Sequence, residues 1–252
     1  MIFITESNDP RIAEFISVRD HVLNSKNLFI AESEKLFLQF KATGKTIHKV
    51  LATPAFIERH KLEGEHIFGA DKNVLEAVAG FKIHFEVLFL AQKPEDSDLR
   101  NLDDRIILLN GLSSPENVGS IVRSSAAFGI KSMILDEKTC SPYLRRCIRV
   151  SMGNIFAMKT NHAINIRGDL NKLKELGYTI ISTANIPKSS DLANYTFPKK
   201  CVLIIGSEGH GVDQDILDKS DVILKINIDS QVAHLNASNA AAIFLSHMSK
   251  IL

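Results

Sequence analysis

Cysteine is scarce in this 252-residue chain, long apolar runs are absent, and the net charge is almost nil at +1. Three cysteines, Cys140, Cys147 and Cys201, are too few for a disulfide framework, and none stands in a CxxC pair or beside a histidine at metal-ligand spacing. They read as packing residues, and no metal site is expected. No apolar stretch approaches the ~20 residues that cross a bilayer. The opening MIFITESNDPR also lacks the basic start and small-residue cleavage site of a signal peptide. The expectation is a cytoplasmic protein without a membrane partner.

A net charge near zero argues against a strongly electrostatic nucleic-acid binder, but a whole-chain sum hides distribution. Residues 1–94 carry 12 basic and 12 acidic side chains, residues 95–104 carry 1 and 5, and residues 105–252 carry 17 and 12. Basic surface is therefore expected mainly in the C-terminal part, where Arg145, Arg146 and Arg149 fall on one predicted helix. A solvated helix face would explain that trio equally well.

What is present is the composition of an ordinary folded protein, 45% hydrophobic and 23% charged, without internal repeats. The acidic stretch EDSDLRNLDD, residues 95–104, has no hydrophobic periodicity and reads as a linker. Before it, in residues 1–94, helical patterns at Pro10 to Leu23, Glu32 to Thr43, Pro54 to His60 and Lys72 to Ala79 alternate with the apolar runs HKVLAT and FKIHFEVLFLA, which suggests a small α/β domain. After it, in residues 105–252, RIILLN, KSMILD, YTIISTAN, CVLIIG and VILKINI are compact β-branched runs separated by helical segments. That is the pattern of a parallel sheet covered on both faces. Gly129 and Gly177 sit where helix C-caps are wanted, and an apolar helix is predicted from about Ser238 to Lys250.

Ligands of open α/β sheets bind beyond the carboxyl ends of strands, which directs attention to three loops. The first, Asn110 to Ser120, leads into a helix carrying Asn117 and Arg123. Asn117 offers a donor and an acceptor, and Arg123 a fixed fork suited to phosphate, although capping and plain solvation would explain each alone. The second, Gly206-Ser207-Glu208-Gly209-His210-Gly211, lets backbone approach a ligand closely and holds Glu208 at its tip. The third, Asp229 to Ser238, crowds hydrogen-bonding side chains ahead of the last helix, where Asn236 or Ser238 alone would be a cap. The second loop spells GxxGxG rather than the GxGxxG of a dinucleotide fold. No such motif follows the first strand of a βαβ unit, so an NAD-type oxidoreductase is excluded, as is a GxSxG nucleophile elbow.

In this order and spacing, PENVGSIVRSSAAFG, VLIIGSEGHGV and INIDSQVAHLNASNAAA resemble the three motifs of the SpoU (TrmH-like) branch of the SPOUT RNA methyltransferases. The likeness runs from about Arg105 to the C-terminus. Residues 1–94 resemble the small L30e-like substrate-binding domain of such enzymes through SNDPRI, IAESEKLFLQF and FEVLFLAQKP, with Glu86 where a glycine is frequent. The resemblance implies a deep trefoil-knotted α/β fold, a homodimer, and S-adenosylmethionine bound among the second and third loops. It places Gly206, Ile226 and Leu235 around that cofactor, with Thr183 at the preceding strand end. Arg123 matches the catalytic arginine, and Asn117, Glu208, Asn236 and Ser238 match the polar residues around it.

The implied reaction moves a methyl group to a ribose 2′-hydroxyl of tRNA or rRNA. That hydroxyl is a poor nucleophile at neutral pH, so the site must orient it and ease its proton away. An arginine, with a pKa above ~12, suits orientation better than proton acceptance. The third motif departs from the usual form at Asn227-Ile228, Ser230 and His234. Those changes leave an inactive RNA-binding relative as the alternative, against which the presence of Asn117, Arg123, Glu208 and Asn236 argues.

Overall fold

A computed structural model describes residues 2–17 and 19–249, which form two compact units. The first comprises Met1–Pro94 and Tyr143–Phe156. Its strands are β1 (Ile2–Ile4), β2 (Leu28–Glu32), β3 (Ile47–Ala52), β4 (Ile67–Ala70) and β5 (Val87–Gln92), in the sheet order β1–β4–β3–β5–β2. The first three in that order run parallel, and β5 is antiparallel to β3 and β2. Helices α1 (Ala13–Ser17), α2 (Asp20–Ser25), α3 (Glu34–Lys41), α4 (Pro54–Arg59) and α5 (Lys72–Ala79) surround it.

Side chains alternate between the two faces of a strand, and here both faces are apolar. Ile30, Leu88 and Leu90 join Ile12, Phe15 and Leu75 in one core. Phe29 and Phe89, one residue out of phase, meet Phe37 and Phe40 edge to face on the other side. The helical run expected from Pro10 to Leu23 is divided into a 3-10 turn at Pro10–Ile12, α1 and α2, with Arg19 in extended conformation before α2. The helix expected from Glu32 starts later, because Glu32 ends β2 and Ser33 caps α3, its Oγ accepting from Leu36 N at 3.4 Å.

The second unit, Glu95–Pro142 with Ala157–Leu252, is built on seven strands. They are β6 (Arg105–Asn110), β7 (Ser132–Leu135), β8 (Lys159–His162), β9 (Thr179–Thr183), β10 (Ser190–Asp191), β11 (Cys201–Gly206) and β12 (Val222–Lys225). Their order is β10–β12–β9–β11–β6–β7–β8, and every neighbouring pair is parallel. Ile106, Leu108, Val202 and Ile204 pack with Leu170 and Leu173 of α8 (Ile166–Glu175) and Ile216 and Leu217 of α9 (Gln214–Lys219). Ile107, Leu109, Leu203 and Ile205 are equally buried and point the other way. On that side α10 (Ala237–Ser249) packs on β11 and on α6 (Pro115–Ala127). Gly129 and Gly177 both take positive φ just past α6 and α8, as their placement after helices predicts. Lys250, the last residue of the predicted final helix, lies outside the described residues.

Two parts of the sequence reading need correction. Residues 95–104 are not a free linker but part of the second unit. Ser97 N donates to Thr160 O at 2.7 Å, Asp96 pairs with His162 Nδ1 at 3.0 Å, and Asp98 caps a 3-10 turn at Leu99–Asn101. Asp103 meets Lys159 Nζ at 2.6 Å, and Leu99 and Leu102 enter the core. The acidity there thus satisfies β8 and a turn instead of keeping the segment in solvent.

The second correction concerns Tyr143–Phe156, which the reading of 105–252 as one domain assigned to the C-terminal part. It carries α7 (Arg145–Val150) and belongs to the first unit. Arg145 N donates to Asp20 at 2.8 Å, and Arg149 Nη1 donates to Glu32 at 2.9 Å. Phe156 closes on Phe29 and Phe40 at ring separations of 5.5 and 5.1 Å. Two arginines of the trio are therefore committed to acids of that unit. Among the described residues, no helix is long and apolar enough to cross a membrane.

Candidate functional site

The three loops meet at the carboxyl ends of β6, β11 and β12. Their footing is a polar knot of side chains below them. Asn110, 1% exposed at the end of β6, donates from Nδ2 to Asp136 at 2.7 Å and accepts from Asp213 N at 2.8 Å. Asp136, 3% exposed just past β7, also accepts from Gly111 N at 3.0 Å, Thr139 N at 2.8 Å and Thr139 Oγ1 at 2.6 Å. Asn110 thus ties the end of β6 to the segment that follows the second loop, and the Asp136 carboxylate holds Asn110 and the start of the first loop in place. Lys138 Nζ meets Asp213 at 2.9 Å, and that hydrogen bond holds the Asp213 carboxyl below its ordinary range. Neither Asp136 nor Asp213 emerged from the sequence reading. The available signal was an aspartate ending the apolar run KSMILD at the same sheet edge.

The second loop is a closed hairpin. Ser207 N donates to Gly211 O at 3.1 Å, Gly211 N donates to Ser207 O at 2.9 Å, and Gly211 has φ +69°. Gly206 lies against its far side so closely that a Cβ there would collide with the backbone of Gly211 and Val212. The glycine is needed for that approach.

Glu208, at the hairpin tip, gathers the polar residues of all three loops. Its Oε1 accepts from Asn117 Nδ2 at 3.0 Å and Ala237 N at 3.3 Å, and Asn236 Nδ2 donates to the same oxygen. Asn236 Nδ2 also donates to Asn117 Oδ1 at 3.0 Å. Asn236 Oδ1 caps α10, accepting from Ser238 N at 2.9 Å, Asn239 N at 3.3 Å and Ser238 Oγ at 2.6 Å. Asn117, Glu208, Asn236 and Ser238 therefore form one connected cluster. With these bonds made, the second Asn117 Nδ2 proton, Glu208 Oε2 and the lone pairs of Ser238 Oγ stay available to a ligand.

Arg123 is not part of that cluster. It is exposed on α6, with no hydrogen bond or ion pair among the described residues. Six residues beyond Asn117, it is turned about 120° around the helix and about 9 Å along it.

Beside Glu208 lies a pocket of about 200 Å³. Thr183, Gly206, Ile226 and Leu235 all line it, along with Ile228 and His234. Thr183 Oγ1 donates to Ile204 O at 2.9 Å, which turns its methyl group away from that bond. The walls are mainly aliphatic, while the loops contribute backbone N–H and C=O groups. Of the residues that depart from the usual third motif, Asn227 donates through its side chain to Asp191, tying the loop to β10. His234 is exposed, without a hydrogen bond among the described residues. A second cleft of about 370 Å³ lies on the other side of Glu208, between the first and second loops, and includes Ser113, Asn117, Lys138 and His210. Among the described residues, no group of three or more His, Cys, Asp or Glu gathers in a way that would hold a metal ion.

This architecture has relatives. An uncharacterised tRNA/rRNA methyltransferase of Mycobacterium bovis is 26% identical over 255 aligned positions, covering 95% of this chain and 88% of its own. The AdoMet-bound rRNA methyltransferase of Sinorhizobium meliloti superposes with a TM-score of 0.87 at 20% identity, over 99% of this chain and 98% of that one. A structure described as an RNA 2′-O ribose methyltransferase superposes over the whole of both chains with a TM-score of 0.81 at 21% identity. These likenesses share the α/β fold with its parallel sheet. The model of the SpoU rRNA methylase family matches residues 104–246, which is more than half of the chain and contains all three loops, and the protein therefore belongs to the SpoU (TrmH-like) family of RNA methyltransferases.

Proposed function

We propose that the protein transfers the methyl group of S-adenosylmethionine to a ribose 2′-hydroxyl of tRNA or rRNA. The observation that carries this reading is the convergence of Asn117, Asn236 and the Ala237 N–H on Glu208, at the edge of the pocket lined by Thr183, Gly206, Ile226 and Leu235. The pocket suits the cofactor chemically. Ile226, Ile228 and Leu235 offer apolar surface to an aromatic ring, and the backbone N–H and C=O groups of the surrounding loops offer hydrogen bonds to its polar ends. Bound there, S-adenosylmethionine supplies an electrophilic methyl group carried on a sulfonium.

The chain's own residues prepare the acceptor. Asn117 keeps one N–H to donate, and Ser238 Oγ, its own proton donated to Asn236, is left to accept a hydrogen bond that orients the ribose hydroxyl. Glu208 holds both asparagines in fixed orientation, which positions the hydroxyl before reaction instead of during it. Arg123 serves the RNA side from outside the cluster, where its guanidinium fork engages a phosphate adjoining the reacting ribose. In this reading the C-terminal unit is threaded as a trefoil knot, the molecule works as a homodimer in the cytoplasm, and the first unit, L30e-like, engages the RNA substrate. The names of the AdoMet-bound and 2′-O ribose relatives support the choice of donor and acceptor.

Incubating the protein with tritiated S-adenosylmethionine and RNA from a strain lacking its gene should label RNA, with the label recovered as 2′-O-methylnucleoside after nuclease digestion. Label on a base instead, or none on any RNA, would refute the assignment.

A further inference from the structure

The first unit contains a cavity of its own, about 140 Å³ in volume, bordered by Glu32, Ser33, Leu36, Phe85, Arg149 and Met152. Glu32 is its unusual member. At the end of β2 it is only 3% exposed, and its Oε1 accepts from Arg149 Nη1 at 2.9 Å. Its Oε2 is closed off from solvent and has no hydrogen-bond partner. A buried carboxylate oxygen without a donor is costly and rare, and calls for an explanation. The backbone beside it is also constrained, since Ser33 takes φ 94° without being glycine.

The surroundings are those of a stacking site. Leu36, Phe85 and Met152 give aliphatic and aromatic walls. Phe81, 46% exposed, lies 6.4 Å from Phe85 between ring centroids, and the Arg149 guanidinium stands 5.9 Å over the Phe81 ring. Met152 is 38% exposed at the rim, and its unbranched side chain moves aside easily. An acceptor, a neighbouring donor and aromatic rings, Phe85 half-buried on the wall and Phe81 exposed beside it, together are what recognition of an unstacked base requires.

We infer that this cavity receives one unstacked RNA base bearing an exocyclic amino group, which donates to Glu32 Oε2 while Arg149 donates to the adjoining ring acceptor. The inference rests on the reading of the protein as one that acts on RNA, and makes the first unit a selector of the RNA rather than a general holder. Cytosine presents that donor–acceptor pair. Uracil, of the same size, puts carbonyl oxygens on both sides of its N–H and meets the carboxylate with repulsion.

The test compares fluorescein-labelled RNA pentamers of cytidine and of uridine binding to the whole protein, read by anisotropy. The cytidine pentamer should bind about tenfold tighter, the discrimination a hydrogen bond to a charged group supplies. Glu32→Gln places an amide N–H₂ where Oε2 stood and should reverse the preference toward uridine. Met152→Trp, which fills the rim without touching the carboxylate, should abolish it. Equal binding of the two pentamers by the wild type, or a Glu32→Gln protein that still prefers cytidine, overturns the inference. If circular dichroism shows Glu32→Gln unfolded, Met152→Trp decides, and a preference retained there is equally fatal. A protein that prefers cytidine but methylates no RNA supports the cavity and sinks the transfer reading. One that methylates RNA but binds both pentamers alike loses the cavity alone.

Discussion

Gly206 and Gly209 lie three residues apart in one loop, and the structure assigns them opposite sensitivities. An alanine Cβ at Gly206 would fall far inside the ~3.5 Å at which carbon atoms ordinarily meet, against the backbone of Gly211 and Val212, which cannot rotate aside as a side chain would. At Gly209 a Cβ meets nothing, and the backbone φ there is an ordinary one. For Gly206→Ala there are two ways to respond. If the loop stays closed, the overpacking strain costs about 1–3 kcal/mol. If it opens, the two bonds between Ser207 and Gly211 are lost, at about 1 kcal/mol each.

Both routes converge on about 2 kcal/mol, or a melting temperature lower by about 4–8 °C for a protein of this size. The second consequence is local. Displacing the hairpin by about 1 Å moves Glu208 off its three donors, so methyl transfer should fall about a hundredfold, with S-adenosylmethionine binding weakened at least tenfold. Gly209→Ala should melt within about 0.5 kcal/mol of the wild type and keep its cofactor affinity. Differential scanning calorimetry and isothermal titration on the pair decide the matter. Equal melting and equal cofactor affinity for the two variants would refute the reasoning.

Asp136→Asn keeps the shape of the polar knot but turns an N–H₂ toward donors on Gly111, Thr139 and Asn110, and should cost about 2–4 kcal/mol in urea unfolding. Burial pushes the Cys201 thiol up to about 11. The unfolded chain therefore releases this proton from about pH 9 while the folded one keeps it, so stability is unaffected below pH 9 and falls by about 2–3 kcal/mol toward pH 11. In unfolding curves at pH 8 and pH 10.5, Cys201→Ala should remove that component. Glu208→Ala leaves three N–H groups without an acceptor at an exposed loop tip, so stability should change by under about 1 kcal/mol, while the single-turnover rate drops about a hundredfold. Arg123→Lys keeps the charge and loses the fork. If its single-turnover rate at saturating RNA equals the wild-type value, Arg123 has no role beyond RNA affinity.

The strands bearing the loops were legible because each is buried on both faces and so reads as an unbroken apolar run, as in RIILLN and CVLIIG. Strands at the margins were not. β8, Lys159–His162, is polar because it closes one edge of the sheet, and its partners Asp96 and Ser97 lie in a stretch whose acidity mimics a linker. β2 was masked because Glu32, a residue of helical preference, ends a strand instead. Within the site, Asn117, Glu208, Asn236 and Ser238 were found together because each follows a strand end in the same sheet. Their connections were not legible, since no local signal says that Asn236 caps α10 with its oxygen while reaching Glu208 with its nitrogen. Spacing on a helix sets Arg123 about 120° around from Asn117, but which of the two faces the other loops is fixed only by the packing of α6 on α10.

The excursion of Tyr143–Phe156 bears on how the protein can be taken apart. Cut at Pro94, the first unit would lose Phe156 and Tyr143 from the ring cluster around Phe29, together with the guanidinium that neutralises Glu32. The remaining chain, from Glu95 on, would carry Tyr143–Phe156 as an insertion parted from the core it completes. A gene fusion or domain exchange with its junction at that point transplants a core with its plug missing. The first unit travels intact only when its last fourteen residues travel with it, which makes the two units inseparable as cassettes although each has its own sheet.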